Sequence, residues 1–256
     1  MGYYAHKSRI PSSRSVRDES LKTEISRVHK DNYSVYGLRK LWCALKQEGI
    51  DIARCTTERL MRELNISGVR RGKTYVVTTI SDELQERPRD LVKREFVASA
   101  PNRLWCADIT YVKTAVGWAY VAFITDVFSR MIVGWKVSSS LKSDLAKDAL
   151  EMAIAGRGEV LSDLTHHSDK GVQYLSVAYS QALLDAGVTP SVGTTGDSYD
   201  NALAESVNAL YKTELVRQYG QFLGVDDLEW ETLKYVDWFN NRRLHGSIAM
   251  VSLGLL

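Results

Sequence analysis

At 256 residues the chain suits one large domain or two small ones, and its 45% hydrophobic and 25% charged content is that of an ordinary soluble globular protein. It has no run of about eighteen apolar residues, which excludes a membrane-spanning helix. The net charge of +2 conceals an asymmetry: residues 1–100 hold 20 Lys and Arg against 13 Asp and Glu, a balance of +7, whereas residues 101–256 hold 13 against 18, a balance of −5.

A basic first part points to a polyanion partner, most commonly nucleic acid. An acidic second part is poorly suited to phosphates unless some of its carboxylates hold metal ions. Two solvated surfaces of opposite sign would give the same pattern. The N-terminal MGYYAHKSRIPSSR lacks the apolar middle of a signal peptide and is expected to be unprocessed. Cys43, Cys55 and Cys106 form no CxxC pair and are expected to be reduced, buried thiols of a cytoplasmic protein.

Residues 19–64 read as helices. ESLKTEISRVHKDN places Leu21, Ile25 and Val28 at helical spacing, and YGLRKLWCALKQEG does so with Leu38, Leu41, Trp42 and Leu45 before Gly49 ends the run. TTERLMRELNISG is expected to start on Thr56 or Thr57 as N-cap and to bury Leu60, Met61 and Leu64. The last two, joined by GIDIARCT, form a helix-turn-helix arrangement whose second helix offers Arg59 and Arg62 to a DNA groove. Residues 1–69 are therefore read as a helical DNA-binding segment. Few large apolar residues occupy 70–100, read as a basic strand-like arm and linker, and the boundary falls near Pro101.

From 101 to 256 the pattern is that of a second domain. LWCADITYV, GWAYVAFITDVFS and RMIVGWKVSSS predict an antiparallel meander. SDLAKDALEMAIAG predicts an amphipathic helix burying Leu145, Ala149, Leu150, Met152 and Ile154. LTHHSD and TPSVG read as short strands on either side of the helix VAYSQALLDAG. In GDSYDNALAESVNALYK the turn is Gly196, Asp197 and Ser198, and the helix is expected from Asp200 or Asn201. Ala202, Leu203, Leu210 and Leu215 are expected to face a core, while Asn201, Glu205, Asn208 and Lys212 share another face at spacings of four, three and four. A last helix around DLEWETLKYVDWFNNRR shows Leu228, Leu233, Val236, Trp238 and Phe239. Strands first, then strands alternating with helices, predict a mixed α/β sheet flanked by helices.

Three acids stand out. Asp108 lies inside a strand, where aspartate is disfavoured, so it needs a reason; the bland one is a solvent-facing side. Asp169 follows a short apolar strand, a common place for a site but also for an ordinary turn. Glu205 sits on a helix, where glutamates usually face water. Together they form a set of hard oxygen ligands of the kind Mg²⁺ accepts beside water and phosphate oxygens, and two such ions would serve phosphodiester chemistry. Lys212 would hold a phosphate as a point charge. His166 and His167 read as packed strand histidines rather than zinc ligands. Asp126 is expected to pair locally with Arg130. Asn240, Arg242, Arg243 and His245 either contact DNA or decorate an exposed loop. GxSxG, GxxxxGK[ST] and a Gly-rich dinucleotide turn are all absent.

In this order, WCADITYV, YVAFITDVFSRMIVGW, HHSDKGVQYLS, SVGTTGDSYDNALAES and YVDWFNNRRLHGS resemble an insertion-sequence transposase with a retroviral-integrase-type catalytic core. Within that group the chain is similar to the second-frame product of the insertion-sequence-three family. YGLRKLWCALKQEGIDIARCTTERLMRELNISGVRRGK resembles the family's helix-turn-helix segment, so the likeness covers nearly the whole chain. Asp169 and Glu205 have 35 residues between them, the family's spacing, and Lys212 matches its basic residue.

The resemblance implies a ribonuclease H-like fold and a catalytic, metal-binding D-D-E triad of Asp108, Asp169 and Glu205. It implies two Mg²⁺ ions, with Mn²⁺ as substitute, and nicking at element ends followed by attack of the freed 3′ hydroxyl on target DNA. Implied partners are a homo-multimer on DNA and an upstream-frame DNA-binding protein, fused or associated, in the bacterial cytoplasm at the nucleoid. Lys212, Arg59, Arg62, Asn201, Asn208, Arg242 and His245 are the candidate DNA-binding residues. The rivals are a metal-dependent nuclease of the same fold and an inactive DNA-binding remnant or regulator. The ending MVSLGLL, with Leu253 where the family has proline, is the argument for the remnant.

Overall fold

The structure, a computed structural model, describes residues 11–70, 88–157, 161–193 and 201–255. The expectations for the arm between 71 and 87 and for the turn at Gly196, Asp197 and Ser198 lie outside them. The chain divides into two compact units, Met1–Arg70 with Gly246–Met250, and Arg71–His245 with Val251–Leu256. No helix among the described residues is long and apolar enough to cross a membrane.

The first unit packs three helices, α1 (Ser13–Asp31), α2 (Leu38–Gln47) and α3 (Arg54–Glu63), against one another. Their apolar stripes meet in a core of Leu21, Ile25, Val28, Leu41, Leu45, Leu60 and Met61, all buried. Ser12 caps α1 by accepting from the Ser15 amide at 3.2 Å. Gly49, at φ +80°, follows the end of α2 in the left-handed conformation that glycine adopts without penalty. Helix α3 starts two residues before Thr56, after Ala53. Thr57 is no cap: its side chain is fully buried and its hydroxyl donates to the Ala53 carbonyl at 3.2 Å. Cys55 is exposed and Cys43 half-buried, so only Cys106 of the three cysteines is the buried thiol expected of all of them.

The second unit is built on a five-stranded sheet. Strands β1 (Leu104–Thr114), β2 (Gly117–Asp126) and β3 (Ile132–Ser138) form the antiparallel meander. Helix α4 (Ser143–Arg157) then carries the chain to β4 (Thr165–Ser168), which pairs with β1 in parallel, a connection that a tight turn cannot make. Helix α5 (Val177–Asp185) leads to β5 (Thr189–Val192), parallel to β4, giving the order β3-β2-β1-β4-β5. One sheet face buries Trp105, Ala107, Ala122 and Ile124 against Leu145, Ala149 and Leu150 of α4 and Tyr179 and Leu183 of α5. Gly134 on β3 permits that contact, since a Cβ there would meet the Ala149 carbonyl oxygen at 2.2 Å.

Helix α6 (Ala202–Tyr211) covers the other face, continues through a π-helical turn, Lys212–Val216, and is followed by α7 (Val225–Asn241). It buries Ala204, Val207 and Tyr211, then Leu215; Ala202, Leu203 and Leu210 are only half-buried, a rotation from the expected core stripe. Tyr211 explains it: its ring packs edge-on against Phe123 at 4.9 Å and Tyr235 at 5.3 Å, and its hydroxyl lies 2.7 Å from the Thr232 hydroxyl. Met152 and Leu233, also expected in the core, are 42% and 46% exposed.

Residues 88–100 are packed, not a free linker. Val92 is buried with Leu104, Cys106, Val127 and Ala204, Phe96 lies against the same cluster, and the Leu91 amide donates to Ser191 Oγ. At the C-terminus Leu253 is buried and the 3₁₀ turn Leu253–Leu255 packs on α7. Sheet order and helix placement make this a ribonuclease H-like fold.

Candidate active site

The register of the parallel pair positions two acids. Strands β1 and β4 pair from Leu104↔Thr165 to Ala107↔Ser168, so the next residues, Asp108 and Asp169, lie at the same level where β4 ends and β1 runs on. Asp108 Oδ1 accepts from the Ile109 amide at 2.8 Å and Oδ2 from the Asn208 side-chain amide at 2.8 Å. Asp169 Oδ1 accepts from the Gly171 amide at 2.9 Å. Gly171 leaves room for this, since a Cβ there would stand 2.9 Å from that same oxygen.

Helix α6 supplies the rest. Asn201 precedes its first turn and donates its amide to the Ala107 carbonyl at 2.9 Å. Glu205 is close enough to raise Asp108, and Asn208 reaches Asp108 directly. Lys212 opens the π-turn with its Nζ 4.3 Å from the centre of the Tyr111 ring. The polar face of this helix therefore looks at β1 from Ala107 to Tyr111.

Electrostatics single out the aspartates. Burial, with the Asp169 carboxylate second and Glu205 a lesser cause, pushes Asp108 up to about 8, against the Ile109 and Asn208 donors. Burial raises Asp169 as well, opposed by the Gly171 amide and His167. Burial lowers Lys212, and the charge of Asp108 partly restores it. Tyr174 belongs to the site and was missed from sequence: burial first, then Asp108 and Asp169, raise it well above the ordinary tyrosine range, and its buried hydroxyl has no hydrogen-bond partner. Its only sequence signal is its place in HHSDKGVQY.

The other candidates have structural partners. His166 Nε2 lies 2.9 Å from the Tyr179 hydroxyl and His167 Nδ1 2.9 Å from Ser191 Oγ, both rings buried as packed strand histidines. Asp126 is buried and accepts from Ser129 N and Oγ and from the Asn102 amide, donors that take the place of the expected Arg130 guanidinium.

FNNRRLHGS fits neither of its two readings in full. Arg243 makes two bonds to Glu214 on the π-turn, at 2.8 and 2.6 Å, with both side chains buried. His245 is buried, with Nδ1 3.1 Å from Arg243 and Nε2 2.9 Å from the Phe239 carbonyl; this corrects its expected DNA-facing position, because packing against Phe239 draws the ring inward. Asn240 bonds both backbone groups of Ile132. Arg242 stays outside in an exposed pair with Asp237, which Asn241 also bonds. In the first unit Arg59 is held by Asp18 and Glu63, whereas Arg62 is 77% exposed beside Glu58.

Among the described residues, no group of three or more His, Cys, Asp or Glu is set closely enough to hold a metal ion. In kind, the donors fit a hard cation. Asp108 and Asp169 are oxygen ligands whose negative charge is disfavoured without a counter-charge, and the Oδ1 atoms of Asn201 and Asn208 beside them are buried without a hydrogen-bond partner.

A mixed sheet of this order, covered by helices on both faces, is a ribonuclease H-like core, and the family matches place it in the integrase class. The Integrase core domain family matches residues 98–198, a second Integrase core domain family matches residues 186–252, and the HTH-like domain family matches residues 16–74. The chain is 52% identical over 258 residues to the putative transposase for insertion sequence element IS986/IS6110 of Mycobacterium tuberculosis, covering 98% of this chain and 92% of the relative. It is 52% identical over 233 residues to the transposase for insertion sequence element IS629 of Shigella sonnei, covering 91% and 77%. A simian T-cell lymphotropic virus intasome in complex with PP2A regulatory subunit B56 gamma matches with a TM-score of 0.55 at 16% identity, over 91% of this chain and 73% of that one, a likeness of fold.

The chain belongs to the insertion-sequence transposases, integrase-family enzymes of the polynucleotidyl-transferase type that act in DNA transposition.

Proposed function

We propose that this chain nicks DNA at the ends of its element and joins the freed 3′ hydroxyl to target DNA, with Asp108, Asp169 and Glu205 as the catalytic acids. The observation that carries this reading is the adjacency of Asp108 and Asp169 at the end of β4, tied through Asn208 to the helix of Glu205. Nicking forms a P–O bond to a water oxygen and breaks the bond to the 3′ oxygen. Joining forms a P–O bond from that 3′ oxygen and releases another strand's 3′ oxygen. One phosphodiester is exchanged for another, so no nucleotide triphosphate is consumed.

Divalent cations, Mg²⁺ or Mn²⁺ and two in number, would be held by Asp108, Asp169 and Glu205 and supply Lewis acidity at the attacking and leaving oxygens. Asn208 orients the Asp108 carboxylate, as outer-shell groups do for metal ligands. Asn201 ties the start of α6 to β1, and Lys212 places a positive charge within reach of a phosphate.

We assign DNA recognition to the helices of residues 1–69, with residues 70–100 connecting them to a catalytic region at 101–256. Of the two candidate DNA-binding arginines on α3, Arg62 is more exposed than Arg59 and the better placed for phosphate. Joining two element ends calls for more than one copy of the chain on DNA, with or without an upstream-frame DNA-binding protein. The buried packing of Leu253 supports this reading over the remnant.

The test incubates labelled element-end DNA and a target plasmid with Mg²⁺, Mn²⁺ or EDTA, for the chain and for Glu205→Gln. Joined products that need metal and vanish with Glu205→Gln are expected. Metal-dependent nicks with no joining, with the upstream-frame protein supplied, would replace the reading with the nuclease.

A further inference from the structure

We propose that the exposed ring of Trp118, backed by Tyr111 and flanked by Lys212 and Lys113, is a stacking site for an unpaired DNA base next to the acid pair. The inference rests on the strand-transfer reading and names how the strand is gripped.

Trp118 stands on β2 opposite Lys113 of β1 and is 52% exposed. The Tyr111 ring meets it edge-on, centroids 5.3 Å apart and planes at 76°. Lys212 Nζ lies 4.3 Å from the centre of Tyr111 and feels the charge of Asp108. Tyr111 is three residues beyond Asp108 on the same strand, about 10 Å along it at roughly 3.3 Å per residue and on the opposite face, and Lys212 links the two where β4 no longer pairs with β1. Lys212 thus joins the carboxylate on one face to the two rings at the strand edge, about 16 Å along β1 from Asp108 to the level of Trp118.

The charge of this region makes a non-ionic grip necessary. Residues 101–256 carry a balance of −5, which disfavours a phosphate backbone. Stacking does not depend on charge, and rings set between lysines are how single-stranded nucleic acid is held without regard to sequence. Breaking one phosphodiester near a DNA end is helped by unpairing the adjoining base, and an indole face offsets part of that cost. A single exposed tryptophan is unremarkable alone; its continuity with Tyr111, Lys212 and Asp108 makes this one a site. Val116 and Leu223, 79% and 75% exposed, extend the apolar surface at the hairpin tip and suit contact between copies of the chain, which is the competing occupant.

The experiment uses the full chain in EDTA, so it does not depend on catalysis. The probes are a short dT strand carrying one 2-aminopurine and the same strand with an abasic site there. The wild type is expected to quench 2-aminopurine. Trp118→Ala is expected to bind the base-bearing strand roughly tenfold more weakly and the abasic strand as the wild type does, and Trp118→Phe to keep most of the affinity. Equal weakening on both strands, or none on either, overturns the proposal. So does a Trp118→Ala chain that loses self-association in sedimentation while its strand binding is unchanged. Failure of the joining assay with quenching intact would instead sink the strand-transfer reading and leave the stacking site standing.

Discussion

The side-chain amide of Asn208 donates to Asp108 Oδ2 at 2.8 Å, and Asn208 lies one helical turn beyond Glu205. That bond ties the strand carrying one acid to the helix carrying another. A rigid helical turn then sets the offset between Asp108 and Glu205, although 96 residues separate them in the chain.

Removing the tie should therefore affect chemistry more than folding. Asn208→Ala is expected to cost about 1–3 kcal/mol of stability, the cost of leaving a buried acceptor without its donor, and to lower joining by at least about tenfold. Urea unfolding and the joining assay measure the two. Full joining by a folded Asn208→Ala chain would show that Asp108 needs no such support.

Asp108 should make the metal-free protein less stable as the pH rises. Its folded value of about 8 lies above the ordinary 3.8, so between these values the folded chain keeps a proton that the unfolded chain has released. The stabilisation is complete below 3.8 and is lost as the pH climbs through 8. His166 acts in the opposite sense: burial pushes it down to about 3, so stability falls below its ordinary 6.5 as the unfolded chain takes up a proton. Asp108→Asn removes only the first effect. In EDTA its melting midpoint should exceed that of the wild type at pH 8, with the gap closing toward pH 4; a gap independent of pH would count against the raised value.

Metal should reverse that penalty. Mn²⁺ held by the folded state alone raises the melting midpoint, by more at higher concentration. Asp108→Asn and Glu205→Gln should each remove most of the rise. An equal rise in all three chains would place the metal elsewhere.

Behind the helix, the Glu214–Arg243 pair is buried on both sides and leans on His245 and Tyr235. Arg243→Ala should cost about 3–5 kcal/mol because it strands the Glu214 carboxylate. Combining Glu214→Gln with Arg243→Met should recover most of that in urea unfolding. A double variant as unstable as Arg243→Ala would show that the stranded charge is not the cause.

In the first unit Arg59 and Arg62 of α3 should behave differently. Arg62→Gln is expected to lower the salt dependence of DNA binding by about one phosphate contact with no change in stability. Arg59→Gln should mainly loosen the helices, because Arg59 bridges α3 to Asp18 on α1. Identical salt slopes for wild type and Arg62→Gln would take Arg62 out of the interface.

Much of the fold was legible because the relevant signals are local. The bulky strand runs LWCADITYV and GWAYVAFITDVFS, the stripe Leu21–Ile25–Val28 and the glycine after α2 each depend on residues a few positions apart. The shared face of Asn201, Glu205, Asn208 and Lys212 was legible for the same reason, since helical geometry fixes it. The core stripe of that helix was misjudged because Tyr211 outweighs the smaller Leu203 and Leu210 once Phe123 and Tyr235 are there to receive it.

The sequence by itself determined the elements, their order and the side chains able to do chemistry. Only the tertiary structure decided what each of those side chains meets. Parallel pairing of β1 with β4 set Asp169 level with Asp108; burial raised both, and the Asp169 carboxylate raised Asp108 further. The same packing turned the basic FNNRRLH inward, where Arg243 meets a glutamate 29 positions away. Charge and polarity are read residue by residue, but desolvation and pairing arise only when distant segments pack, so a basic motif becomes an internal ion pair and a strand aspartate becomes part of a site.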